Sequence, residues 1–85
     1  MPKSTSTEAY ALMIELLRKE RRYRGLSQSE LANRLKKPQA FVSHVERGAR
    51  RIDVIEFCVI ARALGQDPVA LFANIVSQLP STVEI

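Results

Sequence analysis

Residues 26–48 read LSQSELANRLKKPQAFVSHVERG, and this stretch decides the fold. Ser27 and Glu30 have the spacing of a capping box, in which each side chain bonds the other residue's backbone N–H at a helix start. Pro38 suits the first turn of another helix because its ring fixes φ. The stretch therefore predicts one helix over about 28–35 and another over about 38–47. The turn between them is so short that the two helices must cross steeply.

The packing seam between these two helices leaves one face of the second helix polar. The apolar residues expected to meet across the seam are Leu31, Leu35, Val42 and Val45. Helical periodicity places a different set away from it, namely Gln39, Ala40, Ser43 and His44. Short polar side chains can bond base edges in the major groove of DNA, and flanking lysines and arginines can hold phosphates. The alternative is that these residues simply face solvent.

Helical periodicity continues on both sides of this stretch. A first helix carries apolar residues at three- and four-residue intervals over 10–17. A fourth begins at the capping-box pair Asp53 and Glu56, and a fifth begins at Asp67-Pro68 and stops before Pro80. No two-residue alternation indicates a strand. We therefore predict an all-α, compact five-helix domain over residues 7–80, with flexible tails at 1–6 and 81–85.

The composition of the 85 residues excludes several classes of protein. With 46% hydrophobic and 26% charged residues, it is typical of a soluble globular domain. No apolar run is long enough to span a membrane and no secretion signal is visible, so we expect a cytoplasmic protein. The only cysteine is Cys58, which excludes a disulfide scaffold and a zinc finger. We expect no metal, no cofactor and no catalysis, because nucleophile–base pairs are lacking.

Charge is distributed unevenly along the chain. Residues 1–52 hold twelve of the thirteen lysines and arginines against five glutamates, whereas residues 53–85 hold one arginine against four acidic residues. A basic first half joined to a mildly acidic second half suggests one side that faces a polyanion and another that packs. A surface that contacts only water and carries an uneven charge distribution by chance would give the same count.

The chain resembles the helix-turn-helix family of lambda-type and Xre-type phage repressors. The resemblance covers about residues 12–75 and is carried by LSQSELA at 26–32, QAFVSHVERG at 39–48 and IARALG at 60–65, in family order. It implies a repressor-like DNA-binding domain whose second and third helices form the helix-turn-helix. The third is then the recognition helix, and double-stranded operator DNA is the expected partner.

The resemblance also implies roles for individual residues. Base contacts would come from Gln39, Ala40, Ser43 and His44. Phosphate contacts would come from Gln28 at the start of the second helix and from Arg47, Arg50 and Arg51 beyond the recognition helix. Arg21 and Glu46 match positions that form a structural ion pair, so their loss is expected to affect folding before base reading.

The turn of the motif departs from the family pattern. Lys36 and Lys37 stand where a glycine and an apolar residue are usual, and Pro38 stands where a serine or threonine cap is common. A positive φ at Lys36 would cost about 1 kcal/mol. We expect both lysines to serve as additional phosphate anchors.

The fifth helix carries more large apolar residues than a small core needs. We expect four of them to be shared between the core and a homodimer interface: Phe72, Ile75, Val76 and Leu79. A dimer would place two recognition helices about 34 Å apart, in successive major grooves of a pseudo-palindromic operator. The expected function is a dimeric repressor. Two alternatives stay open: an antitoxin or restriction–modification controller that acts with a protein partner, and a protein-interaction module that does not bind DNA.

Overall fold

The computed structural model describes residues 7–84, and within that range the chain consists of five α-helices and no strand. The helices are α1 (Glu8–Tyr23), α2 (Gln28–Leu35), α3 (Gln39–Glu46), α4 (Val54–Ala63) and α5 (Pro68–Gln78). The all-α prediction is therefore confirmed. The expected tail at 1–6 lies outside the described residues, as does Ile85, whereas residues 81–84 are exposed and not helical. No helix in the described range is both long and apolar enough to cross a membrane.

Side-chain caps explain where α2 and α4 begin, whereas α3 begins after a proline. Ser27 and Glu30 form both bonds of a capping box, at 2.9 and 3.0 Å. Asp53 and Glu56 do the same for α4, at 2.9 and 2.7 Å. Pro38 is extended, with φ −64° and ψ 154°, and offers no side-chain cap. The recognition helix therefore begins one residue later than expected and ends at Glu46, one residue earlier.

All five helices contribute to one apolar core. Its buried hydrophobic residues are Tyr10, Ile14, Leu17, Leu26, Leu31, Ala32, Val42, Val45, Phe57, Ile60, Ala61, Leu64, Leu71 and Ile75. Ala61 and Leu64 are almost fully enclosed. The small side chain of Ala32 lets α2 approach its neighbours closely, and Leu35 and Phe41 pack against the edge of the same core. Because α2 and α3 each bury one face here, the opposite faces are presented outward at a fixed angle.

The turn between α2 and α3 is left-handed at Lys36. This residue has φ 57° and ψ 43° and is the only non-glycine residue with positive φ in the described part of the chain. The backbone N–H of Lys37 donates to the carbonyl of Ala32 at 3.0 Å, which closes the end of α2. A side chain in this conformation costs about 1–2 kcal/mol. The strain expected from the sequence is present.

Candidate nucleic-acid interface

The outer face of α3 is polar and accessible. Val42 and Val45 point into the core, at 3% and 4% exposure. The four residues expected to read bases lie on the other side of this helix: Gln39, Ala40, Ser43 and His44. Ser43 is half-buried and the other three are exposed. The arrangement presents amide, hydroxyl and imidazole groups along a single helix face, which are the groups that bond base edges.

A nearly buried ion pair sets the position of α3 relative to α1. Arg21 Nε donates to Glu46 Oε2 at 2.6 Å and Arg21 Nη2 donates to Glu46 Oε1 at 3.0 Å. The remaining guanidinium nitrogen, Nη1, donates to the carbonyl of Leu26 at 2.7 Å. The two charged side chains are 9% and 8% exposed. Arg21 therefore joins α1, the loop before α2 and the end of α3, as the resemblance implied.

Hydrogen bonds continue from this ion pair to the outer face of α3. Gln28 Nε2 donates to Glu46 Oε1 at 3.0 Å, and Gln28 Oε1 accepts from Gln39 Nε2 at 3.4 Å. Ser29 Oγ donates to Gln39 Oε1 at 3.1 Å. Gln28, which we expected at a phosphate, thus has an internal partner at each end of its amide. No role was predicted for Ser29 from the sequence, although its place in the first turn of α2 was a usable signal.

Basic residues flank the outer face of α3 at both ends. They are Lys36, Lys37, Arg47, Arg50 and Arg51, and all five are exposed. The two lysines belong to the turn before the helix and the three arginines to its exit. Cations on both margins of a helix that presents polar groups can hold the two phosphate backbones that border a groove.

Arg50 has a strong internal partner. Its Nη1 and Nη2 atoms donate to the two carboxylate oxygens of Glu56 at 3.1 and 2.8 Å. The guanidinium also lies 4.8 Å from the centroid of the Phe41 ring, and Lys37 Nζ lies 5.7 Å from the same centroid. The bond from Arg50, followed by the Asp53 backbone N–H, lowers the pKa of the Glu56 carboxyl. A phosphate would have to compete with Glu56 for Arg50.

The loop after α3 is also fastened to α1. The backbone N–H of Ile52 donates to the hydroxyl oxygen of Tyr10 at 3.0 Å. The Arg51 guanidinium lies 4.4 Å from the centroid of the Tyr10 ring. Arg47 Nε donates to the Ser43 carbonyl at a long 3.4 Å. The three arginines of this loop therefore sit on a backbone that is held in place before any ligand arrives.

Of the residues expected at a dimer interface, Phe72 and Val76 are accessible. They are 55% and 47% exposed, and Leu79 is half-buried. Ile75 is only 2% exposed, so of these four residues it is the one that belongs to the core and leaves almost no surface for a partner. The reason is geometric: α5 turns Leu71 and Ile75 together into the core, and Phe72 and Val76, one position further along, face outward.

The accessible apolar surface is wider than the fifth helix. Val54 at the start of α4 and Val69 at the start of α5 are strongly exposed. With Phe72 and Val76 they form what we call the α4/α5 apolar face. A groove of about 320 Å³ runs through it, lined by residues that include Met13, Val54, Val69 and Phe72. Neither Val54 nor Val69 was singled out from the sequence as a surface residue, because apolar periodicity alone does not show which residues of α4 and α5 stay in water.

No other chemistry is grouped in the described part of the chain. Within residues 7–84 there is no set of three or more His, Cys, Asp or Glu side chains that could hold a metal ion. Cys58 is half-buried and lines the groove of the α4/α5 apolar face.

Comparison with known proteins agrees with this geometry. The helix-turn-helix family profile matches residues 17–71. An XRE-family like protein from Pseudomonas syringae pv. tomato str. DC3000 is 43% identical, with 85% of this chain and 88% of that chain covered and a TM-score of 0.80. A mutant of the restriction-modification controller protein C.Esp1396I is 20% identical, with 92% and 94% covered and a TM-score of 0.77. The C.Esp1396I tetramer in complex with its natural 35 base-pair operator is also 20% identical, with 82% and 92% covered and a TM-score of 0.75. Curated protein sequences give no significant match.

These comparisons carry different weight. At 20% identity the controller structures show the fold alone. The family profile covers more than half of the chain, including α2, the turn and α3, and the Pseudomonas protein is similar over most of its length. The chain belongs to the helix-turn-helix family of XRE-type DNA-binding transcriptional regulators.

Proposed function

We propose that this regulator is a dimeric repressor that reads the major groove of a pseudo-palindromic operator with α3. The observation that carries the proposal is the outer face of α3, where exposed polar side chains lie between two groups of cations. Supporting contacts from α1, α2 and α4 hold that face at a fixed orientation. A preformed reading surface needs little reordering when it binds.

In this proposal the polar residues of α3 read bases and the cations hold phosphates. Gln39 is suited to a bidentate bond with adenine, and Ser43 and His44 can both donate to and accept from base edges. Phosphates on either side of the groove would be neutralised by the five cations at the margins of α3, namely Lys36, Lys37, Arg47, Arg50 and Arg51. Gln28 would reach a phosphate only with part of its amide, since both of its ends are engaged.

The α4/α5 apolar face is the proposed homodimer interface. Four large apolar side chains left in water on one side of a small domain favour association with a second copy. A two-fold dimer would place the two α3 helices about 34 Å apart, which matches successive major grooves. The same fold in C.Esp1396I is found as a tetramer on its operator, which is consistent with oligomeric DNA binding.

The experiment compares matched variants on an operator selected from random DNA. Fluorescence anisotropy would measure the affinity of Gln39→Ala and of its control Gln78→Ala, an exposed glutamine on α5. Loss of a bidentate base contact predicts that Gln39→Ala binds the operator about 5- to 150-fold more weakly. The variant should also bind all four base pairs equally well at the position that Gln39 contacts. Gln78→Ala should bind as the unmodified protein does. Equal affinities for the two variants would contradict the proposal.

A salt series separates base reading from phosphate binding. Lys37→Ala is expected to weaken binding to all sequences and to reduce the slope of log affinity against log salt by about 1. The control is Lys19→Ala, which removes an exposed lysine of α1 outside the proposed phosphate contacts and should leave the slope unchanged. An unchanged slope for Lys37→Ala would remove that residue from the phosphate contacts.

A further inference from the structure

The amide of Gln39 is held at both of its ends. Its Nε2 atom donates to Gln28 Oε1 at 3.4 Å, and its Oε1 atom accepts from Ser29 Oγ at 3.1 Å. Both partners lie in the first turn of α2, on the other side of the turn of the motif. An exposed glutamine side chain ordinarily rotates freely about its last bond. Here two contacts from a different helix oppose that rotation.

The direction of these bonds is set from inside the protein. The Glu46 carboxylate can only accept hydrogen bonds, so the Gln28 atom that faces it must be the donor Nε2. Gln28 Oε1 therefore points outward and requires a donor, which makes the facing atom of Gln39 its Nε2. The Oε1 atom of Gln39 then faces Ser29, whose hydroxyl can donate or accept, so Gln28 sets the direction of the amide and the Ser29 bond holds the amide in place. The buried partner Arg21 holds the Glu46 side chain in place.

An amide of fixed direction discriminates between the two purines. Adenine presents the acceptor N7 and the donor N6 in the major groove, and guanine presents two acceptors, N7 and O6. A held amide offers one donor and one acceptor, which matches adenine and sets oxygen against oxygen at guanine. An amide that can rotate could turn its NH2 group toward both guanine acceptors. Because Oε1 and Nε2 each have a second hydrogen-bonding position, they can bond a base without leaving Ser29 and Gln28.

We infer that Ser29 is a specificity-determining positioning residue: its hydroxyl anchors the Gln39 carboxamide in the direction that Gln28 sets, which accepts adenine and rejects guanine. The inference rests on the proposed base contact of Gln39. Ser29 touches no base in this scheme, so its effect passes entirely through Gln39. It acts at one base pair of each half-site and leaves phosphate binding untouched.

The test measures the preference for A·T over G·C at the one base pair whose discrimination disappears in Gln39→Ala. Ser29→Ala removes the donor and is expected to lower the adenine-to-guanine affinity ratio about fivefold, the equivalent of one ordinary hydrogen bond. Ser29→Thr keeps a hydroxyl at the same position and should retain the ratio. Both variants are at an exposed site, and thermal unfolding would verify that they fold. The slope of affinity against salt should be the same for all three proteins.

A double variant identifies the route of the effect. In the Gln39→Ala background, Ser29→Ala should change nothing further, because the amide that it holds is gone. An unchanged ratio in Ser29→Ala, or an effect that persists in the absence of Gln39, would overturn the inference while leaving the proposed function intact. An unmodified protein that shows no base preference at any position would overturn the proposed function and the inference together.

Discussion

Replacing Arg21 with methionine is expected to destabilise the fold severely, because it leaves the Glu46 carboxylate without its cation. That carboxylate is only 8% exposed, so water cannot replace the lost partner. Methionine has a similar length and fills much of the same space, which restricts the change to charge and hydrogen bonding. The carbonyl of Leu26 also loses its donor.

The magnitude follows from the burial of the pair. Removing one partner of a buried ion pair costs about 3–5 kcal/mol. A domain of 85 residues has a total stability of about 4–13 kcal/mol, at roughly 0.05–0.15 kcal/mol per residue. One substitution therefore removes a large part of the free energy of unfolding. The corresponding fall in Tm is at least about 12 °C for a domain of this size.

Urea denaturation followed by circular dichroism measures this loss, and Arg50→Met is the matched control. Arg50 also forms a two-bond pair with a glutamate, but the side chains of Arg50 and Glu56 are 45% and 28% exposed. Such a pair contributes about 1 kcal/mol or less. The account is refuted if the two methionine variants lose equal stability. A double variant Arg21→Met, Glu46→Leu should recover much of the loss, because no unpaired charge is left inside.

Three further predictions concern the turn, acid stability and assembly. Lys36→Gly should raise the free energy of unfolding by about 0.5–1 kcal/mol, since glycine accepts the left-handed conformation but loses more backbone entropy. DNA binding at low salt should nevertheless weaken, because the variant lacks one of the proposed phosphate contacts. A lower free energy of unfolding in Lys36→Gly would contradict the strain assigned to this turn. For Glu56, whose pKa is lowered chiefly by Arg50, the stabilisation is present above the unfolded value of 4.5 and is lost as pH falls through the folded value. Between pH 7 and pH 3, the free energy of unfolding should therefore fall less in Glu56→Gln than in the unmodified protein. Parallel pH curves for the two proteins would contradict this prediction. If the α4/α5 apolar face is the interface of the proposed dimer, Phe72→Lys should sediment as a monomer, and a dimer that persists in this variant would exclude that face.

Local sequence signals predicted most of the fold. The two capping boxes that begin at Ser27 and Asp53 are complete, and α2 has the expected bounds of Gln28–Leu35. These signals act within four residues, so they need no knowledge of the rest of the chain. The strained turn at Lys36 and the Arg21 ion pair were reached through the family resemblance instead. Arg21 and Glu46 lie far apart in the chain, and a single sequence shows no periodic pattern that would reveal such a pair.

Relations between helices could not be predicted in the same way. Whether Ser29 reaches Gln39 depends on the angle at which α2 meets α3, and this angle depends on how all five helices share the core. Which residues of α5 enter the core, as Ile75 does, could not be predicted because α5 is apolar on more than one face, and only packing decides which face turns inward. The engagement of Arg50 by Glu56 likewise depends on how the loop after α3 folds back on α4.

Selection of bound duplexes from a random DNA pool, at two salt concentrations, tests the proposed reading of an operator by α3 most directly. A dimeric, sequence-specific regulator would enrich an inverted repeat with half-sites about one helical turn apart, and the same repeat should emerge at both salt concentrations. Salt-sensitive binding with no enriched sequence would contradict base reading by this protein alone. An absence of binding even at low salt would contradict the placement of α3 in the groove altogether.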